Sequence, residues 1–72
     1  MINIQDIIPF MKDGWVAMDE DNSWWWHEKE PRHTGEDHWY NFGECVCLYC
    51  FDIAPADDWT KSLIRIKGKN NE

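Results

Sequence analysis

The sequence predicts a small α+β domain that is mostly β: an antiparallel sheet of three to four strands, built on a tryptophan-rich hairpin, with short helical segments at the ends. Three observations lead there. Residues 15–28 place two β-prone, aromatic-rich stretches on either side of an acidic, polar centre. Residues 45–53 form the most apolar run in the chain. Both ends carry short apolar spacings compatible with one helical face. With 72 residues the chain is near the lower limit for a core without disulfide or metal staples, and six tryptophans supply much of the area such a core needs. Residues 1–67 are expected to form the domain and residues 68–72 a disordered tail.

In residues 1–12, Ile4, Ile7, Ile8 and Met11 fit one helical face, with Asn3 as the N-cap. Pro9 removes a helix hydrogen bond and disfavours helical geometry at Ile8, so a short or broken helix is expected. Asp13-Gly14 ends it and begins the hairpin. Val16 and Met18 share one strand face, Trp15 and Ala17 the other; Trp24 and Trp26 alternate likewise with Trp25 and His27. Asp19 to Ser23 supplies the turn chemistry of a loop longer than two residues.

Residues 28–37 are charged, contain Pro31 and Gly35, and read as a loop. Residues 38–42 are aromatic and read as a third strand. Residues 45–53 are apolar in both parities, as in a central strand covered on both faces. Pro55 stops that run. Asp57-Asp58-Trp59-Thr60 then reads as a capped helical turn, and residues 63–67 as an extended end that could also continue as helix.

The formal net charge is −7. Twelve acidic residues between Asp13 and Asp58 face only Lys29 and Arg32. Such a body argues against direct nucleic-acid binding, which needs a basic stripe. It suits a basic protein surface, including one that normally holds nucleic acid, although charge of this size also serves solubility alone. Three closely spaced cysteines do not form a disulfide framework and point to a reducing cytoplasm. No signal peptide is expected, and no apolar run reaches membrane-spanning length.

The segments Gly14-Trp15-Val16-Ala17-Met18-Asp19, Trp24 and Trp26 followed by Glu28, Lys29 and Pro31, Phe51-Asp52-Ile53-x-Pro55, and Asp58-Trp59-Thr60-Lys61-Ser62-Leu63 together resemble small uncharacterised proteins encoded by phages and prophages. The resemblance covers most of the chain and implies a small β-rich protein from a virus or mobile element, at work in the cytoplasm of an infected or lysogenic host. It carries no catalytic motif, and the cysteines lie outside it.

No enzyme is expected: the chain lacks a nucleophile elbow, an oxyanion loop or a convincing acid–base pair. No cofactor is expected. A structural zinc at Cys45, Cys47, Cys50 and His38 (or His27 or His33) is a minor alternative, opposed by strand parity, which points Cys50 away from Cys45 and Cys47. The main functional signal is the tryptophan surplus. Trp24, Trp25, Trp26 and Trp39 are the candidate aromatic contacts, and Asp19, Glu20, Asp21, Glu36 and Asp37 the candidate acidic surface. Two functions fit. One is stoichiometric binding and inhibition of a host protein such as an antiviral-defence component, with aromatic anchors and charge steering. The other is a sponge for a small nucleotide signal, with bases stacked on tryptophan, phosphates met by Arg32, Lys61 and Arg65, and a pocket completed by a second protomer.

Overall fold

The computed structural model describes residues 1–33 and 38–67. The expected fold class holds: a four-stranded antiparallel sheet, a separate two-stranded ribbon and one short α-helix. In chain order the elements are α1 (Ile4–Ile7), a 3-10 turn (Ile8–Phe10), β1 (Gly14–Met18), β2 (Trp24–His27), β3 (Arg32–His33), β4 (Trp39–Tyr40), β5 (Cys45–Cys47), a second 3-10 turn (Trp59–Lys61) and β6 (Ile64–Ile66).

The N-terminal segment breaks where its residues require. The Asn3 side chain accepts from the Gln5 N–H, which caps α1. Pro9 then sits in the tighter 3-10 turn. Ile2 is pinned against the segment that follows β5: its N–H donates to the Asp52 carbonyl at 2.7 Å, and its own carbonyl accepts from Ala54 N–H at 2.8 Å.

The hairpin pairs Trp15 with His27 and Met18 with Trp24. Its loop closes through Asp19 N–H to the Ser23 carbonyl and Asn22 N–H to the Asp19 carbonyl. Asn22 has φ 71°, a left-handed geometry that Asn tolerates better than most residues. The strand order is β5-β2-β1-β6, so the hairpin forms the centre and β5 and β6 the two edges. Directly paired residues share a face. One face therefore carries Val16, Met18, Trp24, Trp26, Val46, Leu48, Ile64 and Ile66; the other carries Trp15, Ala17, Trp25, His27, Cys45, Cys47 and Arg65.

The core lies on the first face. Val16, Met18, Trp24, Leu48 and Ile66 are buried there with Ile4, and Ile7, Ile8, Met11, Ile53, Ala56 and Trp59 pack around them. At the β6 side, Ser62 is buried and bridges the sheet. Its Oγ accepts from Met18 N–H at 2.8 Å and lies 2.7 Å from the Trp59 carbonyl, which it donates to.

Three expectations are corrected. Residues 45–53 are not a central strand covered on both faces: only Cys45–Cys47 is strand, it lies at the sheet edge, and a turn follows, with Phe51 N–H donating to the Leu48 carbonyl. Residues 28–37 are not all loop, because Arg32 and His33 pair with Tyr40 and Trp39. The aromatic strand at residues 38–42 shortens to Trp39–Tyr40 and joins that ribbon instead of the main sheet. At the C-terminal end, the capped turn followed by an extended segment is observed: the Asp58 side chain accepts from Thr60 N–H, and β6 follows. The expected tail at residues 68–72 lies outside the described residues.

Candidate protein-binding surface

The tryptophans that the sequence offers as contacts are drawn inward, each by its indole N–H. Trp24 is buried and donates to the Ala54 carbonyl at 3.1 Å. Trp39 is buried as well; its N–H donors reach the Met18 and Trp59 carbonyls from the indole and the Asp19 carboxylate from the backbone. Trp24 belongs to the core cluster and Trp39 is buried outside it, so neither ring stands at the surface as expected. Trp25 and Trp26 are half-buried, and donate to Ser23 Oγ and the Lys12 carbonyl respectively. Trp15 is half-buried under Arg65, whose guanidinium carbon stands 4.5 Å from the ring centroid. A buried indole needs a partner for its N–H, and here the chain supplies one for Trp24, Trp25, Trp26 and Trp39.

The large apolar side chains left in solvent are different ones. Phe10 and Tyr49 are each 85% exposed, Phe42 58%, Val46 51% and Phe51 43%. Four apolar residues of this region, Phe10, Val46, Leu48 and Phe51, line one groove of about 520 Å³ together with Ile7, Met11 and Trp26, and with Lys12 and Glu44 at its rim. A smaller depression of about 280 Å³ shares Leu48 and Phe51 with it, and is also lined by Tyr49, Asp21 and Asp52. Ile7 and Met11, which flank the 3-10 turn, pack against the core and also line the groove beside β5 residue Val46. The sequence signal for these residues was present in Phe10, directly after Pro9, and in Tyr49 and Phe51. For Tyr49 and Phe51 it is absorbed into the expectation of a buried strand at residues 45–53, while Phe10 lies off the helical face expected of residues 1–12.

The acidic surface is partly placed. Asp19, Glu20 and Asp21 gather beside His38 at the hairpin tip. Hydrogen bonds from the Ser23 hydroxyl and N–H hold the Asp21 carboxyl below its ordinary pKa, so its charge is firmly fixed. Thr60 does the same for Asp58. Glu36 and Asp37 lie outside the described residues.

Cys45 and Cys47 sit half-buried on the second sheet face, while Cys50 is exposed in the turn beyond β5. His38 stands against Tyr40 at a ring distance of 5.0 Å. The alternative set Cys45, Cys47, Cys50 and His38 is not assembled, and no group of three or more ligands is positioned for a metal among the described residues. His27 is 3% exposed, and neither ring nitrogen has a hydrogen-bonding partner among the described residues. Burial pushes its pKa down, so the imidazole is held neutral. No helix among the described residues is long and apolar enough to cross a membrane.

No protein-family model matches the chain, and no curated protein and no solved structure matches it significantly.

Proposed function

We propose that this is a small acidic phage-type protein that acts by stoichiometric binding to a host protein and inhibits it, without catalysis of its own. The observation that carries the reading is the exposed apolar groove of Phe10, Val46, Leu48 and Phe51, set in a chain of net charge −7. Apolar side chains in a rimmed groove leave water on binding and supply affinity; the surrounding charge raises the encounter rate with a basic surface and disfavours acidic ones. The resemblance to phage and prophage proteins supports a host target, and a component of antiviral defence suits a basic partner that handles nucleic acid.

The nucleotide sponge has less support. Two of its four stacking rings, Trp24 and Trp39, are buried, and Arg65 is engaged over Trp15.

Native mass spectrometry of the tagged protein purified from its host at low salt tests the proposal. The expected result is one basic host protein at fixed stoichiometry, lost when the exposed Phe51 is changed to Ser. An empty protein, or a nucleotide-sized adduct in its place, would overturn it.

A further inference from the structure

The two edges of the sheet are unlike each other. β6 reads Ile64-Arg65-Ile66 and continues into Lys67, with Arg65 and Lys67 exposed. Charged side chains of this kind, lysine above all, are how sheet proteins keep an edge from pairing with another chain. β5 reads Cys45-Val46-Cys47 and carries no charge within the strand.

The register shows which backbone groups β5 leaves open. Glu28 N–H donates to the Glu44 carbonyl, and Leu48 N–H to the Trp24 carbonyl. Hydrogen-bonded pairs alternate in an antiparallel ladder, so Val46, opposite Trp26, is the next bonded pair, and its N–H and C=O face β2. The N–H and C=O of Cys45 and Cys47 therefore face away from the sheet. Among the described residues nothing pairs with them. The apolar groove lies along this same edge, with Val46 in its wall.

We propose that β5 is a docking edge that takes an extended segment of a partner protein as a fifth strand, with apolar side chains at alternate positions and lysine or arginine flanking them at the ends of the segment. This rests on the protein-binding reading above and names the partner's chemistry. An added antiparallel strand satisfies Cys45 and Cys47 and turns every second side chain towards Phe10, Val46 and Phe51. Charge complementarity chooses the occupant. Glu44 stands at the groove rim, Asp21 and Asp52 line the adjoining depression, and Lys12 is the one cation lining either. A second copy of the chain would bring another charge of −7 to the same place.

The test uses a fluorescein-labelled nonapeptide with alternating valine and threonine at its centre and lysines at both ends, followed by anisotropy in 50 mM and 500 mM salt. A version with glutamate for lysine and one N-methylated at alternate amides are the controls. The lysine peptide is expected to bind at least tenfold more tightly than either control, and at least tenfold more weakly at high salt. Cys47→Pro removes one outward N–H and leaves the bonds to β2, since proline is tolerated where an edge N–H faces solvent. It is expected to weaken binding at least tenfold. Val46→Lys, at an exposed position that folding does not require, is expected to do the same and keeps the test decisive if the proline variant does not fold. Equal binding of the lysine and N-methylated peptides, or no effect of Val46→Lys, would overturn the proposal. So would a wild-type dimer in sedimentation that Val46→Lys dissociates, because the edge would then belong to a second copy. A host protein captured equally by wild type and Val46→Lys would overturn the docking edge and leave the protein-binding reading standing.

Discussion

Ser62→Ala removes one oxygen and is expected to cost a large part of the stability. In the register of β1 with β6, Ser62 falls opposite Met18, two residues beyond the paired residues Val16 and Ile64. The chain has left the ladder there, and the Ser62 hydroxyl takes the place of a backbone carbonyl for the Met18 N–H, at 2.8 Å. Both residues are buried, so no water replaces the lost acceptor. The Trp59 carbonyl keeps other donors, from Ser62 N–H and the Trp39 indole, and the Met18 carbonyl keeps the Trp39 indole. The cost is therefore that of one orphaned buried N–H, about 1–3 kcal/mol. A domain of this length has a total stability of about 4–11 kcal/mol. A loss near the middle of that cost lowers Tm by about 8–16 °C. Urea and thermal unfolding followed by circular dichroism measure it, and exchange of the Met18 amide locates it. Ser62→Cys keeps a weak donor and acceptor and falls between the two. A Ser62→Ala protein within about 0.5 kcal/mol of wild type, with Met18 still protected, would refute the reasoning, because such small changes belong to sites away from buried polar groups.

Other outcomes follow from single sites. His27 is buried neutral, so the unfolded chain takes up its proton first; stability is full above about pH 6.5 and is lost as pH falls towards the lowered folded value, by at most about 1.4 kcal/mol per pH unit. His27→Leu is expected to flatten that part of the profile and to raise stability at pH 7 by about 1 kcal/mol, since two unpartnered polar atoms leave the interior; urea midpoints between pH 7 and 4.5 check both. At Gly14, an added Cβ would stand 2.5 Å from the His27 carbonyl oxygen and 2.8 Å from Trp26 Nε1. Gly14→Ala must push β1 and β2 apart, and a loss of about 1–3 kcal/mol in chemical denaturation is expected.

The readable parts of this sequence are those where local chemistry and fold agree. Asn3 and Pro9 mark the start and the break of the first helix, and the turn residues Asp19 to Ser23 set the hairpin's length. The alternation of Trp24 and Trp26 against Trp25 and His27 sets its faces. Asp58 marks the turn before β6. What escaped reading was decided by tertiary contacts. Trp39 is buried because its indole N–H meets the Met18 and Trp59 carbonyls, which lie 20 residues or more away in sequence. Arg32 and His33 carry no strand periodicity, and their ribbon forms only because Trp39 is anchored beside them, with its ring 5.5 Å from that of His33. The candidate surface was misplaced for a related reason. Apolar residues that line an open groove have the composition of a core, so Val46, Leu48 and Phe51 read as the inside of a central strand. Of the four tryptophans that read as surface contacts, Trp24 and Trp39 are taken up by the interior.

The most direct measurement is a ¹H–¹⁵N NMR titration of the full chain with the lysine-flanked peptide. Shifts at the Cys45 and Cys47 amides and the Trp26 indole, with the Arg65 and Lys67 amides of the opposite edge unmoved, are the predicted result. Shifts confined to the β6 edge, or none at any of these positions, would contradict a binding edge at β5.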